Sequence, residues 1–142
     1  MMHHPPFLTG IERMDRAGLQ NSEALAAVVA CDIHPINNLR LLTYLTSKLG
    51  ASEEAKLEWY RHWVALGLGT LEAQLAGSRS TGKFCHGDTP TLADCCLVPQ
   101  IFNARRFDCD LSGYPTLVRI DRACSELPAF QNAAPEKQPD AA

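Results

Sequence analysis

The chain has 142 residues, with 13 basic and 16 acidic side chains and a formal net charge of −3. That length suits one ordinary domain with a core large enough to need no disulfide or metal staples. The charges are mixed, so no basic run is available to neutralise nucleic-acid phosphates, and no apolar run approaches the roughly 18 residues that cross a bilayer.

Residues 1–20 carry paired prolines, two histidines and scattered charge without periodicity, and are expected to form a poorly ordered leader. "MMHHPPFLTG" has neither the basic start nor the apolar stretch of a signal peptide, which points to a soluble, cytoplasmic protein. From Ser22, a candidate N-cap, "EALAAVVACDI" supplies helix formers with one broad apolar face. Pro35 removes a backbone donor and crowds the preceding turn, so the spacing predicts a helix that bends there and continues through "INNLRLLTYLTSKLG" to Gly50. Ser52 opens a second helix with apolar positions at Leu57, Tyr60, Val64, Leu68, Leu71 and Leu75. "SRSTGKFCHGDTP" reads as a turn-rich connection. In "TLAD" the spacing of Thr91 and Asp94 predicts a capping box that starts a third helix, with Pro99 inside it as a second kink. "YPTLVRIDRACSEL" gives a fourth helix, and "PAFQNAAPEKQPDAA" a short turn followed by a polar tail. No period of two lasts long enough for a strand, so the expected class is all-α. The expected division is leader 1–20, helical domain 21–134 and tail 135–142.

Four polar residues cluster around the proline. On a helix, His34 and Asn38 share one face, while Asn37, Arg40 and Tyr44 form the next ridge. They either satisfy backbone groups freed by a kink or line a ligand site. In "NARRF", Asn103 and Arg106 lie on one side of the third helix near its end. Arg106 either complements the helix dipole or clamps a carboxylate through its planar guanidinium. Arg105 points elsewhere and is expected in solvent. Trp59, Tyr60, His62 and Trp63 are expected to pack rather than cage a ligand. The six cysteines, Cys31, Cys85, Cys95, Cys96, Cys109 and Cys124, are expected to be reduced and mostly buried. None lies in a zinc-ligand spacing, and Cys95 lacks an adjacent base, so neither a metal nor a cysteine nucleophile is expected.

Taken together, "ACDIHPINNLRLLTYL", "WYRHWVALGLGTLEAQLA", "GKFCHGDTPTLADCCLVPQIFNARRFDCDLSGYPTL" and "LPAFQNAAPEKQPDA" resemble the C-terminal helical domain of zeta-class glutathione transferases, the maleylacetoacetate isomerases, over residues 22–142. "GD-x-x-T-x-AD" marks the wider superfamily; "IHP-x-NN-x-R", "CLVPQ-x-x-NA-x-RF" and "QPDA" mark the isomerase-like branch. The resemblance implies an all-α, glutathione transferase C-terminal-like bundle without the thioredoxin-like domain that opens family members. It implies glutathione as cofactor, contacted by His34 and Asn38, and a maleyl keto acid bound through Arg106, with Arg40 and Asn103 on the substrate side. The serine- and cysteine-containing motif that activates the glutathione thiol belongs to the other domain, so no catalytic residue is expected in this chain. Expected partners are a second copy or a thioredoxin-like domain. Two alternatives stand beside this reading: a non-catalytic helical interaction module, and a general glutathione transferase acting on electrophiles.

Overall fold

The computed structural model describes residues 16–141. Helix α1 (Arg16–Ala27) runs into a π-helical stretch, Val28–Ile33, then a single α turn, α2 (His34–Asn37), and helix α3 (Leu39–Ser47). The long α4 (Glu53–Gly77) is followed by α5 (Leu92–Arg106), α6 (Pro115–Ser125), the short α7 (Pro128–Ala133) and a 3-10 turn, Pro135–Lys137. Among the described residues there is no strand, only an isolated bridge between Thr81 and Gly87. Residues 1–15 of the expected leader lie outside the described residues.

The first helix departs from expectation in two ways. It is already helical at Arg16, so Ser22 is not its N-cap and residues 16–20 belong to α1. Ser22 is instead buried, and its hydroxyl accepts from the Ala93 amide at 3.3 Å, a tertiary partner that local spacing does not reveal. Nor does one helix run on to Gly50. Ile33 and His34 keep helical backbone angles, so the π-helical stretch leads without interruption into the turn that holds Pro35, and the break falls at Asn38, whose ψ of 159° is extended. The Asn38 side chain then caps α3, its Oδ1 accepting from the Leu41 amide at 3.0 Å. Gly50, with φ of +68°, follows α3 in the left-handed region that favours glycine at a helix stop.

Ser52 caps α4 by accepting from Ala55 N at 3.1 Å, and Glu53 and Glu54 occupy the first turn, where negative charge is favourable. Tyr60, Val64, Leu68, Leu71 and Leu75 are buried along one face, each aliphatic side chain contributing about 1.5–3 kcal/mol of hydrophobic stabilisation. This face packs against the π-helical stretch and α6. Gly67 is required there, because a Cβ would overlap the side chain of Ile33. Helix α5 packs on α1, the π-helical stretch and α6, which places Leu97, Ile101 and Ala104 in the core with Leu117 and Ile120. Its start carries the expected capping box, and the helix continues through Pro99.

Candidate functional site

The polar segment around α2 is only partly used for structure. Asn37 is buried, and its Nδ2 donates to the Tyr60 carbonyl at 3.3 Å, while its buried Oδ1 has no donor among the described residues. The carbonyl of Ile36 is satisfied from α4 by Trp59 Nε1 at 2.9 Å. Asn38 is half-buried, with Oδ1 engaged as the α3 cap. His34 and Arg40 are exposed, and neither forms an ion pair or side-chain hydrogen bond among the described residues. Asn37 and Asn38 therefore do the structural work that a helix break demands. His34 and Arg40 do none.

At the far end of α5 the two arginines differ. Arg105 is exposed, as expected, and also pairs with the nearly buried carboxylate of Asp121 on α6 at 2.8 Å, a partner that only the packing of α6 supplies. Arg106 is exposed and has neither an acidic partner nor a hydrogen bond among the described residues, and half-buried Asn103 precedes it by one turn. The helix stops at Phe107, where Asp108 N donates to Arg105 O at 3.0 Å and Cys109 N to Ala104 O at 2.9 Å, the two bonds of a Schellman closure. Asp108 takes the left-handed position that glycine usually fills, with φ of 53°.

No hydrogen bond or ion pair joins His34, Asn38 or Arg40 directly to Asn103 or Arg106 among the described residues. Tyr60 connects the two ends. Its carbonyl takes Asn37, its ring stacks on Phe107 with centroids 3.9 Å apart, and its phenol feels the Arg106 charge. Burial pushes that phenol up to about 12, with the Cys109 thiol adding to the rise and Arg106 opposing it. Arg61 donates Nε to Phe107 O at 3.0 Å and also lines a shallow groove of about 520 Å³ with Glu54, Leu57, Glu58 and His62. None of the five expected site residues lines that groove. Tyr60 and Arg61 carry no local signal of this role, because the partner they share, Phe107, lies more than 40 residues on, just past the end of α5. The aromatic cluster itself packs internally, Trp63 meeting Trp59 and His62 edge-on.

The cysteines are less buried than expected. Cys85 and Cys124 are buried, Cys96 and Cys109 intermediate, and Cys31 and Cys95 exposed. Every resolved shift raises the thiol pKa, the direction opposite to an activated nucleophile. Burial is the leading cause each time; next to Cys85, Cys95 and Cys124 the Asp94 carboxylate adds to it. Among the described residues no group of three or more His, Cys, Asp or Glu side chains could hold a metal ion. No described helix is long and apolar enough to cross a membrane.

Comparison with known proteins gives a consistent answer. Residues 64–135 match the model of the glutathione S-transferase C-terminal domain. A maleylpyruvate isomerase of Ralstonia sp. is 52% identical over 128 residues, covering 90% of this chain and 60% of the relative; the chain thus spans well under two thirds of that relative's length. A holo structure of a maleylpyruvate isomerase, a bacterial zeta-class glutathione S-transferase, superposes with a TM-score of 0.89 at 46% identity, covering 100% of this chain and 71% of that one. A maleylacetoacetate isomerase of Methylobacterium extorquens with bound malonate and glutathione has a TM-score of 0.87 at 32% identity, with the same coverage of both chains. A helical bundle of this order, carrying these residues at a match of this extent, belongs to the glutathione S-transferase family and to its zeta-class, maleylacetoacetate isomerase-like branch.

Proposed function

We propose that this chain is the substrate-side helical half of a cytoplasmic, glutathione-dependent isomerase that converts a maleyl keto acid, such as maleylacetoacetate, to its fumaryl isomer in aromatic amino-acid catabolism. The observation that carries the reading is the contrast between Arg105, paired with Asp121, and Arg106, exposed and without an acidic partner among the described residues. An unpaired guanidinium at a helix end, one turn from an amide side chain, suits a ligand carboxylate. The relative that binds malonate together with glutathione supports the same chemistry.

Glutathione supplies a thiolate whose reversible addition to the conjugated double bond permits rotation about it. The residues around α2 fit such a polar tripeptide: His34 is exposed and unpartnered, Asn38 keeps its amide NH2 free, and buried Asn37 Oδ1 lacks a donor. In this reading His34 and Asn38 hold glutathione, Arg106 and Asn103 orient one carboxylate of the acid, and Arg40 neutralises charge that develops as the double bond is broken. The chain's own thiols are shifted the wrong way to activate the reaction, so thiol activation falls to a thioredoxin-like partner domain.

A second reading, a docking module, is favoured by the exposure of Leu39 (80%), Tyr44 (56%) and Leu49 (67%) on and just after α3. The two are separated by glutathione-dependent isomerisation of maleylacetone, measured for the purified chain and for Arg106→Ala, each alone and with the thioredoxin-like domain of a maleylpyruvate isomerase added in trans. Turnover that falls about a hundredfold in Arg106→Ala is the expected result. Turnover indifferent to Arg106, or none in either setting, would sink the isomerase reading.

A further inference from the structure

Tyr60 reaches both parts of the candidate site from the middle of α4. Its carbonyl accepts from Asn37 Nδ2 at 3.3 Å, which ties it to α2. Its ring lies on Phe107 with centroids 3.9 Å apart and planes inclined by 25°. The next residue, Arg61, donates to the Phe107 carbonyl at 3.0 Å. Two consecutive residues of α4 thus hold Phe107 by its ring and its backbone, and Phe107 directly follows Arg106. The Schellman closure through Asp108 and Cys109 ties the same helix end from its other side. Tyr60 is 3% exposed, and its hydroxyl makes no hydrogen bond among the described residues, so what the residue contributes is its ring and its backbone.

We propose that Tyr60 is a positioning residue: by stacking on Phe107 while holding Asn37, it fixes the Arg106 end of α5 relative to the His34–Arg40 segment, so that a dicarboxylate meets a preset cationic clamp. This inference rests on the reading of Arg106 as carboxylate-binding. Its physical basis is preorganisation, since a guanidinium held within a fraction of an ångström binds an anion without first losing freedom.

The test titrates malonate into the full chain by calorimetry, in the wild type and in Tyr60→Phe, Tyr60→Leu, Phe107→Leu, Arg106→Ala and Leu71→Ala. Tyr60→Phe keeps the stack and is expected to bind malonate as the wild type does. Tyr60→Leu and Phe107→Leu, which break the stack from opposite sides, are expected to bind about tenfold more weakly. Leu71→Ala removes core packing farther along α4 and should lower Tm without changing the malonate Kd, which separates positioning from general loss of structure. Folded Tyr60→Leu and Phe107→Leu proteins with wild-type affinity would overturn the proposal, as would a Tyr60→Phe as weak as Tyr60→Leu. If the wild type and Arg106→Ala bind malonate equally, the carboxylate reading has failed on its own. Positioning is then read from the Arg106 side-chain Nε–H order parameter by NMR, expected to drop in Tyr60→Leu but not in Tyr60→Phe; no drop in Tyr60→Leu would overturn it.

Discussion

Asp94 and Arg106 sit near opposite ends of one helix and have opposite surroundings. The Asp94 carboxylate is fully buried and accepts from Thr91 N at 2.8 Å, Thr91 Oγ1 at 3.0 Å and Cys85 N at 3.0 Å, with Cys124 Sγ at 3.9 Å. Each of its bonds ties the start of α5 to the connection before it or to α6. Arg106 is exposed, with no ion-pair or side-chain hydrogen-bond partner among the described residues. A charge whose contacts are all internal stabilises the fold; a charge left without them is available to something outside the chain.

The sharpest way to break this comparison is Asp94→Ala. It strands two backbone donors, one of them buried, and is expected to destabilise the chain by about 3 kcal/mol in urea unfolding. A loss below about 1 kcal/mol would mean that the capping box is redundant. Next come the neighbouring arginines. Arg105→Ala leaves Asp121 without its partner and should cost about 1 kcal/mol, the pair being half exposed on the arginine side. Arg106→Ala should change stability by less than about 0.5 kcal/mol while abolishing malonate binding. Equal losses in the two variants would erase the distinction between them. Asp108→Gly relieves a left-handed residue and moves an acidic charge off a helix C-terminus, so it should stabilise by about 0.5 kcal/mol. At neutral pH the smallest effects are those of Tyr60 and Cys124. The Tyr60 phenol is raised from 10.0 to about 12 by burial, so the fold keeps a proton that the unfolded chain releases. The stability this gives is complete below pH 10 and is lost as pH rises from 10 towards 12, and Tyr60→Phe should remove that portion of the decline. Cys124, raised from 9.0 to about 12 by burial and by Asp94, should add a decline that begins near pH 9 and disappears in Cys124→Ala.

What could be read in advance was local. The Thr91–Asp94 box needs only a three-residue spacing, and the buried face of α4 repeats often enough to be unmistakable. Gly50 as a stop is local too. Two roles depend on a partner distant in sequence: Ser22 resembles a cap until Ala93 arrives from α5, and exposed Arg105 resembles an unpaired charge until α6 brings Asp121. The third departure is local: the helix passes Pro35 and ends at Asn38, which caps the next helix. For the candidate site, residue types and family motif marked His34, Asn38, Arg40, Asn103 and Arg106. The stack of Tyr60 on Phe107 that links the two groups had no signature, since aromatic residues at helical spacing are ordinary core.

The π-helical stretch Val28–Ile33 carries a consequence of its own. Its bonds run from residue i+5 to i, as from His34 N to Val29 O, so it accommodates one residue more than an α-helix would. In a purely α-helical stretch one extra residue would turn everything downstream by about 100° about the axis; the wider turn absorbs it instead. The heading of His34 is therefore set by residue count and bonding pattern together. A single-codon deletion between Val28 and Ile33 would let the stretch relax to α-helical bonding with His34 kept on its present side, whereas a residue added or lost in the regular turns of α1 would set one part of the helix off against the other by about that angle. In this part of the fold, where a length change falls matters more than which residue it removes.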